Sequence, residues 1–238
     1  MDTYVFAAAV AGGAIAAVSG FGIGSFLTPL LALAMDARLA VAAVAIPHAL
    51  GTAIRYVRLP VGADRRVLLT FGAASAAGAL VGALLQPQTS SRAIMILFGT
   101  LLLIVAVLEW TGATKRLRFV GAGAWLAGLV SGALGGLAGN QGGIRSAALL
   151  GFNLPRDTFV ATATAIALLI DGVRLPIYVA NYSSDILNVW RFVLIACLGV
   201  VIGTLLGGRL LGRIPENRFR SIVAVLLALL GLSMILRV

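Results

Sequence analysis

One cysteine, one histidine and one lysine are all that 238 residues offer to three familiar kinds of chemistry. A single cysteine, Cys197, excludes an internal disulfide and any multi-cysteine metal site. A single histidine, His48, excludes His-x-x-x-His zinc ligation, and with scattered carboxylates it leaves no metal centre. No Ser–His–Asp set and no Gly-x-x-x-x-Gly-Lys phosphate loop occurs. These gaps argue against an enzyme, against a bound cofactor and against a nucleotide-driven pump. Charge is also scarce: 11% of residues are charged, where a soluble domain carries about a quarter.

Apolar residues fill the space, at 61% of the chain with a mean hydropathy of +1.06. Several runs reach the roughly 20 residues that cross a bilayer, so the class is an all-α polytopic membrane protein. The first apolar run lacks a basic leader, so a multi-pass span is expected there rather than a cleaved signal. Arginine outnumbers lysine seventeen to one, and with abundant Ala and Gly this points to a GC-rich bacterial genome and a bacterial inner membrane. The net charge of +10 comes from basic residues in short loops between apolar runs. Membrane topology requires that, and no nucleic-acid partner follows from it.

Eight apolar runs fall at 4–35, 39–56, 66–85, 92–110, 119–152, 157–180, 187–210 and 217–236. The first and fifth, if straight helices, would be about 50 Å long, well over a hydrocarbon core of about 30 Å. They are either steeply tilted or broken. Counting charges separates the two parses, with Arg55, Arg145 and Arg174 set aside as intramembrane. With eight straight crossings, the faces carry eight and seven basic residues. With the two long runs folded back as hairpins, one face holds eleven: Arg58, Arg65, Arg66, Lys115, Arg116, Arg118, Arg156, Arg209, Arg213, Arg218 and Arg220. The other holds Arg38, Arg92, Arg191 and Arg237. The second distribution is a positive-inside pattern. Each half then makes three crossings, so the second half is inverted and both termini lie outside the cytoplasm.

The chain repeats itself at an offset of 119 residues, which divides it into 1–113 and 114–238. The offset lays Gly13 on Gly132, Gly20 on Gly139, Gly24 on Gly143 and Arg55 on Arg174, with about ten identities between residues 13 and 56. Each half opens with a glycine-interrupted apolar run, Gly20-Phe21-Gly22-Ile23-Gly24 and Gly139-Asn140-Gln141-Gly142-Gly143. Paired interruptions of this kind point to a transporter's binding site. A helix broken in the membrane needs protein or water around its freed backbone groups, and the restarted helix aims its positive end at an anion. Close helix packing through Gly-x-x-x-Gly spacing is the alternative origin of the same glycines.

Polar residues near these runs complete the candidate site. Asn140 and Gln141 can donate hydrogen bonds to an oxyanion, and Phe21 can line or gate a cavity. Arg145 follows the second break closely; inside a membrane it is a functional candidate unless it snorkels to an interface. Arg55 and Arg174 are interfacial anchors or positive rims of an anion path. Asp171 and Arg174 share a helical face and can pair. His48 titrates near neutral pH and can relay protons or simply pack. Asp171 is the best carboxylate for proton coupling, and Thr52 takes its place in the first half.

Ser19-Gly20-Phe21-Gly22-Ile23-Gly24 followed by Pro29, with its second copy from Gly132 through Gly143, resembles the sulfite exporter TauE/SafE family, also called the four-toluene sulfonate uptake permeases. The resemblance spans nearly the whole chain, and the second copy lacks a proline until Pro155. It implies transport of sulfur-containing anions such as sulfite, sulfonates or sulfoacetate. The expectation is a secondary transporter for a small anion, with proton coupling and a homodimer as further features. A passive anion channel, a non-transporting membrane subunit and a membrane enzyme are the other readings.

Overall fold

The computed structural model describes residues 1–112, 121–139, 142–211 and 214–237. Every element among them is helical, and seven helices are long and apolar enough to cross a membrane. The first long run is two helices, α1 (Asp2–Ser19) and α2 (Ile23–Leu31). Then come α3 (Ala37–Val57) and the short α4 (Arg65–Val67), which passes through a π-helical turn, Leu68–Gly72, into α5 (Ala73–Leu85). After α6 (Ser91–Thr111), the fifth run is again two helices, α7 (Ala122–Ala138) and α8 (Gly142–Leu149). The chain ends with α9 (Arg156–Asn188), α10 (Trp190–Leu211) and α11 (Glu216–Ile235). α9 does not stop near residue 180. It continues to Asn188 across a kink at Tyr182, whose hydroxyl donates to Gln86 Oε1 at 2.7 Å.

Both breaks have the same cause. Gly20 and Gly139 end their helices in the left-handed region, at φ 82° and 75°, where a Cβ is penalised. Their amides donate back to the carbonyls of Ala16 and Gly135, each at 3.0 Å. The chain then folds over: a Cβ on Gly12 would lie 3.2 Å from Ile23 Cα, and one on Gly22 would lie 3.2 Å from the Gly12 carbonyl. α2 therefore starts beside the middle of α1 instead of prolonging it, and Val5, Ala9, Ile23, Leu27 and Leu31 pack in one cluster.

Helix pairing follows the repeat. α1 packs on α10 and α7 on α5; α3 meets α10 and α9 meets α5; α6 pairs with α11 and α3 with α9. Swapping the halves maps each contact onto another or onto itself. Glycine makes the two tightest crossings possible. A methyl on Gly132 would collide with the Ser75 carbonyl, and one on Gly203 with the Val10 carbonyl, which is the small-residue packing of membrane helices. Close packing through glycine thus runs along α1, α5, α7 and α10 as well as at the breaks.

The outer surface is apolar. Leu69, Leu84, Val107, Leu126, Leu198 and Leu229 are all more than half exposed, as lipid contact permits. The three tryptophans, Trp110, Trp125 and Trp190, are exposed near helix ends, where aromatic side chains anchor a bundle at the membrane surface. At one end, Asp2 pairs with Arg191 at 2.5 Å and the Ala37 amide donates to Ser91 Oγ. At the other, the Asp64 amide donates to Thr162 Oγ1, and Val67, Phe71, Phe152 and Phe159 cluster.

Candidate functional site

The two breaks touch. A Cβ on Gly24 would lie 3.0 Å from the Gly139 carbonyl, and one on Gly142 would run into Phe21 Cβ. Backbone from one half thus contacts the break of the other half. Between them is a cavity of about 20 Å³ lined by Phe21, Gly22, Gly24, Ser25, His48, Gly139, Gly142, Arg145 and Arg174, above the roughly 10–15 Å³ that one water needs. α2 and α8 both begin here, so the first-turn amides of two helices converge on one place.

Arg145 reaches this cavity from α8. It is 2% exposed and its Nε has no hydrogen-bond partner among the described residues. Arg55 and Arg174 act on it as like charges and Asp171 as the opposing one. The snorkelling alternative requires exposure that this side chain does not have.

Arg174 is held by Asp171, with Nε at 2.9 Å and Nη2 at 2.7 Å from Oδ1. The other carboxylate oxygen of Asp171 lies 2.8 Å from His48 Nδ1, so α3 and α9 are joined through a His–Asp–Arg chain whose Asp and Arg are buried. Arg174 Nη1 also donates to the Gly135 carbonyl at 3.0 Å. Arg55 does the same in its own half, donating through Nη1 to the Ala16 carbonyl at 2.7 Å. Ala16 and Gly135 are 119 residues apart, and each already accepts the amide of its capping glycine. Each arginine therefore sits at the negative end of a broken helix, where a cation is favoured. Neither lies at an interface: Arg55 is 8% exposed and Arg174 2%. Only Arg174 lines the cavity.

Thr52 is buried on α3, and its Oγ1 has no partner among the described residues. Gly20 caps α1 just outside the cavity lining, and Gly143 lies in the first turn of α8. Asn140 and Gln141 lie outside the described residues, so the oxyanion contacts expected of them have no geometry here. Two cavity or clamp residues escaped the sequence reading. Ser25 lines the cavity one residue beyond Gly24. Tyr178 donates its hydroxyl to the Gly136 carbonyl, and its seven-residue spacing from Asp171, which puts both on one helix face, was the available signal.

The model of the sulfite exporter TauE/SafE family matches residues 5–234 of this chain. The chain belongs to that family. It is therefore a multi-pass membrane protein of a transporter family, not an enzyme, and the family ties it to export of a small anion of the sulfite type. The match covers both glycine breaks and every residue of the TauE/SafE cavity just described. No curated protein and no solved structure matches the chain.

Proposed function

We propose that this TauE/SafE protein is a secondary transporter of a small sulfur-containing or organic oxyanion, such as sulfite or a short sulfonate, across the bacterial inner membrane. The anion binds where the two glycine breaks meet. The observation that carries this is Arg145: a buried guanidinium whose Nε has no partner among the described residues, in a cavity that two helix N-termini also face. A buried cation in that state stabilises an incoming anion more than it stabilises the empty protein.

In this reading residues 1–113 and 114–238 are inverted repeats that rock about the shared cavity, giving alternating access. The exchange of helix contacts between halves supports it, as does the placing of the segments on either side of α1–α2 at one end of the bundle. The eleven basic loop residues would then face the cytoplasm. The His48–Asp171 bond is the coupling element: a proton taken by His48 or Asp171 weakens the hold on Arg174 and makes the site more positive. Assembly as a homodimer belongs to the same proposal.

The test is uptake of labelled sulfite and of C2 sulfonates by purified protein in liposomes, with and without an imposed proton gradient. Accumulation above the equilibrium level when the gradient is applied supports a coupled transporter. Flux that only follows the substrate gradient makes the protein a channel. No flux of any anion removes the transport reading.

A further inference from the structure

The two halves carry the same arginine clamp but differ three residues before it. In the second half Asp171 fills the position, and its carboxylate satisfies Arg174 Nε at 2.9 Å. In the first half Thr52 fills it, and its side chain is too short to reach as a carboxylate does. Arg55 Nε and Thr52 Oγ1 are both buried without a hydrogen-bond partner among the described residues. A second buried hydroxyl without a partner among the described residues, Thr204 Oγ1, reaches the neighbouring position: it lies 3.4 Å from where a Cβ on Gly51 would be. Thr204 also approaches α1 at Gly13, one turn from the Ala16 carbonyl that Arg55 holds. Thr52, Arg55 and Thr204 are 1%, 8% and 8% exposed.

Unpaired buried donors are costly, and native interiors rarely keep several together. Here Thr52 and Arg55 lie one turn apart on α3, Thr204 of α10 reaches the neighbouring Gly51, and the carboxylate of Asp171 is already committed to Arg174 and His48. The repeat shows which chemistry completes the set, because its other copy carries a carboxylate there. We propose that Thr52, Arg55 and Thr204 form a second anion station, in which a free oxyanion of carboxylate or sulfite size takes the place that the tethered carboxylate of Asp171 takes in the other half. The station is separate from the cavity at Arg145, since none of its three residues lines that cavity. An oxyanion that crosses the protein thus meets two arginine stations, one open in each half, while the third arginine is closed by Asp171. The last step rests on the transport reading above; the station itself does not.

The experiment is equilibrium binding of labelled sulfite to the purified full-length chain under anaerobic conditions. The expected stoichiometry is two per chain for the wild type, one for Thr52→Asp, which installs the tethered carboxylate, and one for Arg145→Ala. Thr52→Val and Thr204→Val keep shape but remove a donor, and each should weaken one of the two sites about 3- to 10-fold without changing thermal stability by more than a few degrees. They carry the test if Thr52→Asp fails to fold. A wild type that binds one sulfite, lost in Arg145→Ala and kept in Thr52→Asp and both valine variants, overturns the station, leaves water as the occupant and leaves the transport reading standing. One sulfite lost in Thr52→Asp and kept in Arg145→Ala supports the station and overturns the central site. No binding by the wild type overturns both.

Discussion

Replacing Arg145 should separate stability from function, and the structure sets the size of each effect. The side chain is 2% exposed, with one guanidinium nitrogen unpartnered among the described residues and two other arginines acting against it. Holding an arginine at membrane depth costs at least about 2.5–3.5 kcal/mol. Arg145→Ala removes that cost and forfeits three packed methylenes, at about 0.8 kcal/mol each or about 2.4 kcal/mol in all. The two nearly cancel, so the variant should unfold within about 1 kcal/mol of wild type, a shift of up to about 4 °C for a chain of this size. Arg174→Ala is the contrast. It strips a partner from Asp171, 1% exposed, and from the Gly135 carbonyl. Breaking a buried pair costs about 3–5 kcal/mol, or roughly 6–20 °C. Transport should run the other way for Arg145. Arg145→Lys keeps charge but not the planar fork that grips an oxyanion at two points, and should lose about tenfold or more; Arg145→Ala should lose nearly all. Melting followed by tryptophan fluorescence, with sulfite flux in liposomes, reads both quantities on the same preparations. Full flux in Arg145→Ala, or a melting loss equal to that of Arg174→Ala, refutes the assignment and makes Arg145 a structural residue.

Asp171→Ala and Arg174→Ala should each destabilise by about 3–5 kcal/mol, while the double variant falls short of their sum by about 1–3 kcal/mol; additivity in melting experiments would show that the 2.7 Å contact is not energetically coupled. Gly132→Ala drives a methyl into the Ser75 carbonyl and should cost about 1–3 kcal/mol by overpacking. Gly172→Ala, on an exposed face of α9 with open space around it, should be neutral or stabilise by up to about 1 kcal/mol through helix propensity; equal effects at the two sites would discount the close crossing of α5 and α7. His48→Gln keeps a hydrogen bond to Asp171 but cannot titrate, among facing charges from Asp171, Arg174 and Arg145. It should abolish accumulation driven by a proton gradient while downhill flux persists, and retained gradient-driven accumulation would move the proton path elsewhere.

Class and breaks were legible because both rest on local chemistry. Apolar runs of membrane length report themselves, and Gly20 and Gly139 mark positions where the backbone turns left-handed. The family was legible for the same reason, since its motif is those glycines. What stayed hidden was lateral. Nothing in the order of residues says that Arg55 and Arg174 turn inward onto the Ala16 and Gly135 carbonyls, because an arginine near the end of an apolar run looks the same whether it reaches out to water or back to a helix end. The offset of 119 residues held that information only in combination: it pairs the arginines and it pairs the carbonyls, but the link between the pairs is a contact in space. The glycines of α5, α7 and α10 were likewise visible as letters, and their partners were not.

The clamp explains why the breaks can persist at all. A helix ended inside a bundle leaves several carbonyls without amide partners, and in a membrane each is costly. In both halves one of these carbonyls receives two donors, the amide of the capping glycine and an arginine from the third helix of the same half. The arginine offsets the negative helix end, and the helix end offsets the burial of the arginine, so neither needs a lipid-facing or solvent-facing escape. With both ends neutralised this way, the positive first turns of α2 and α8 are the uncompensated poles left at the meeting point of the halves, and Arg145 adds a full charge to them. The polarity of the cavity therefore follows from where the arginines sit: Arg55 and Arg174 each give one Nη to a helix-end carbonyl, and Arg145 brings its charge to the cavity itself.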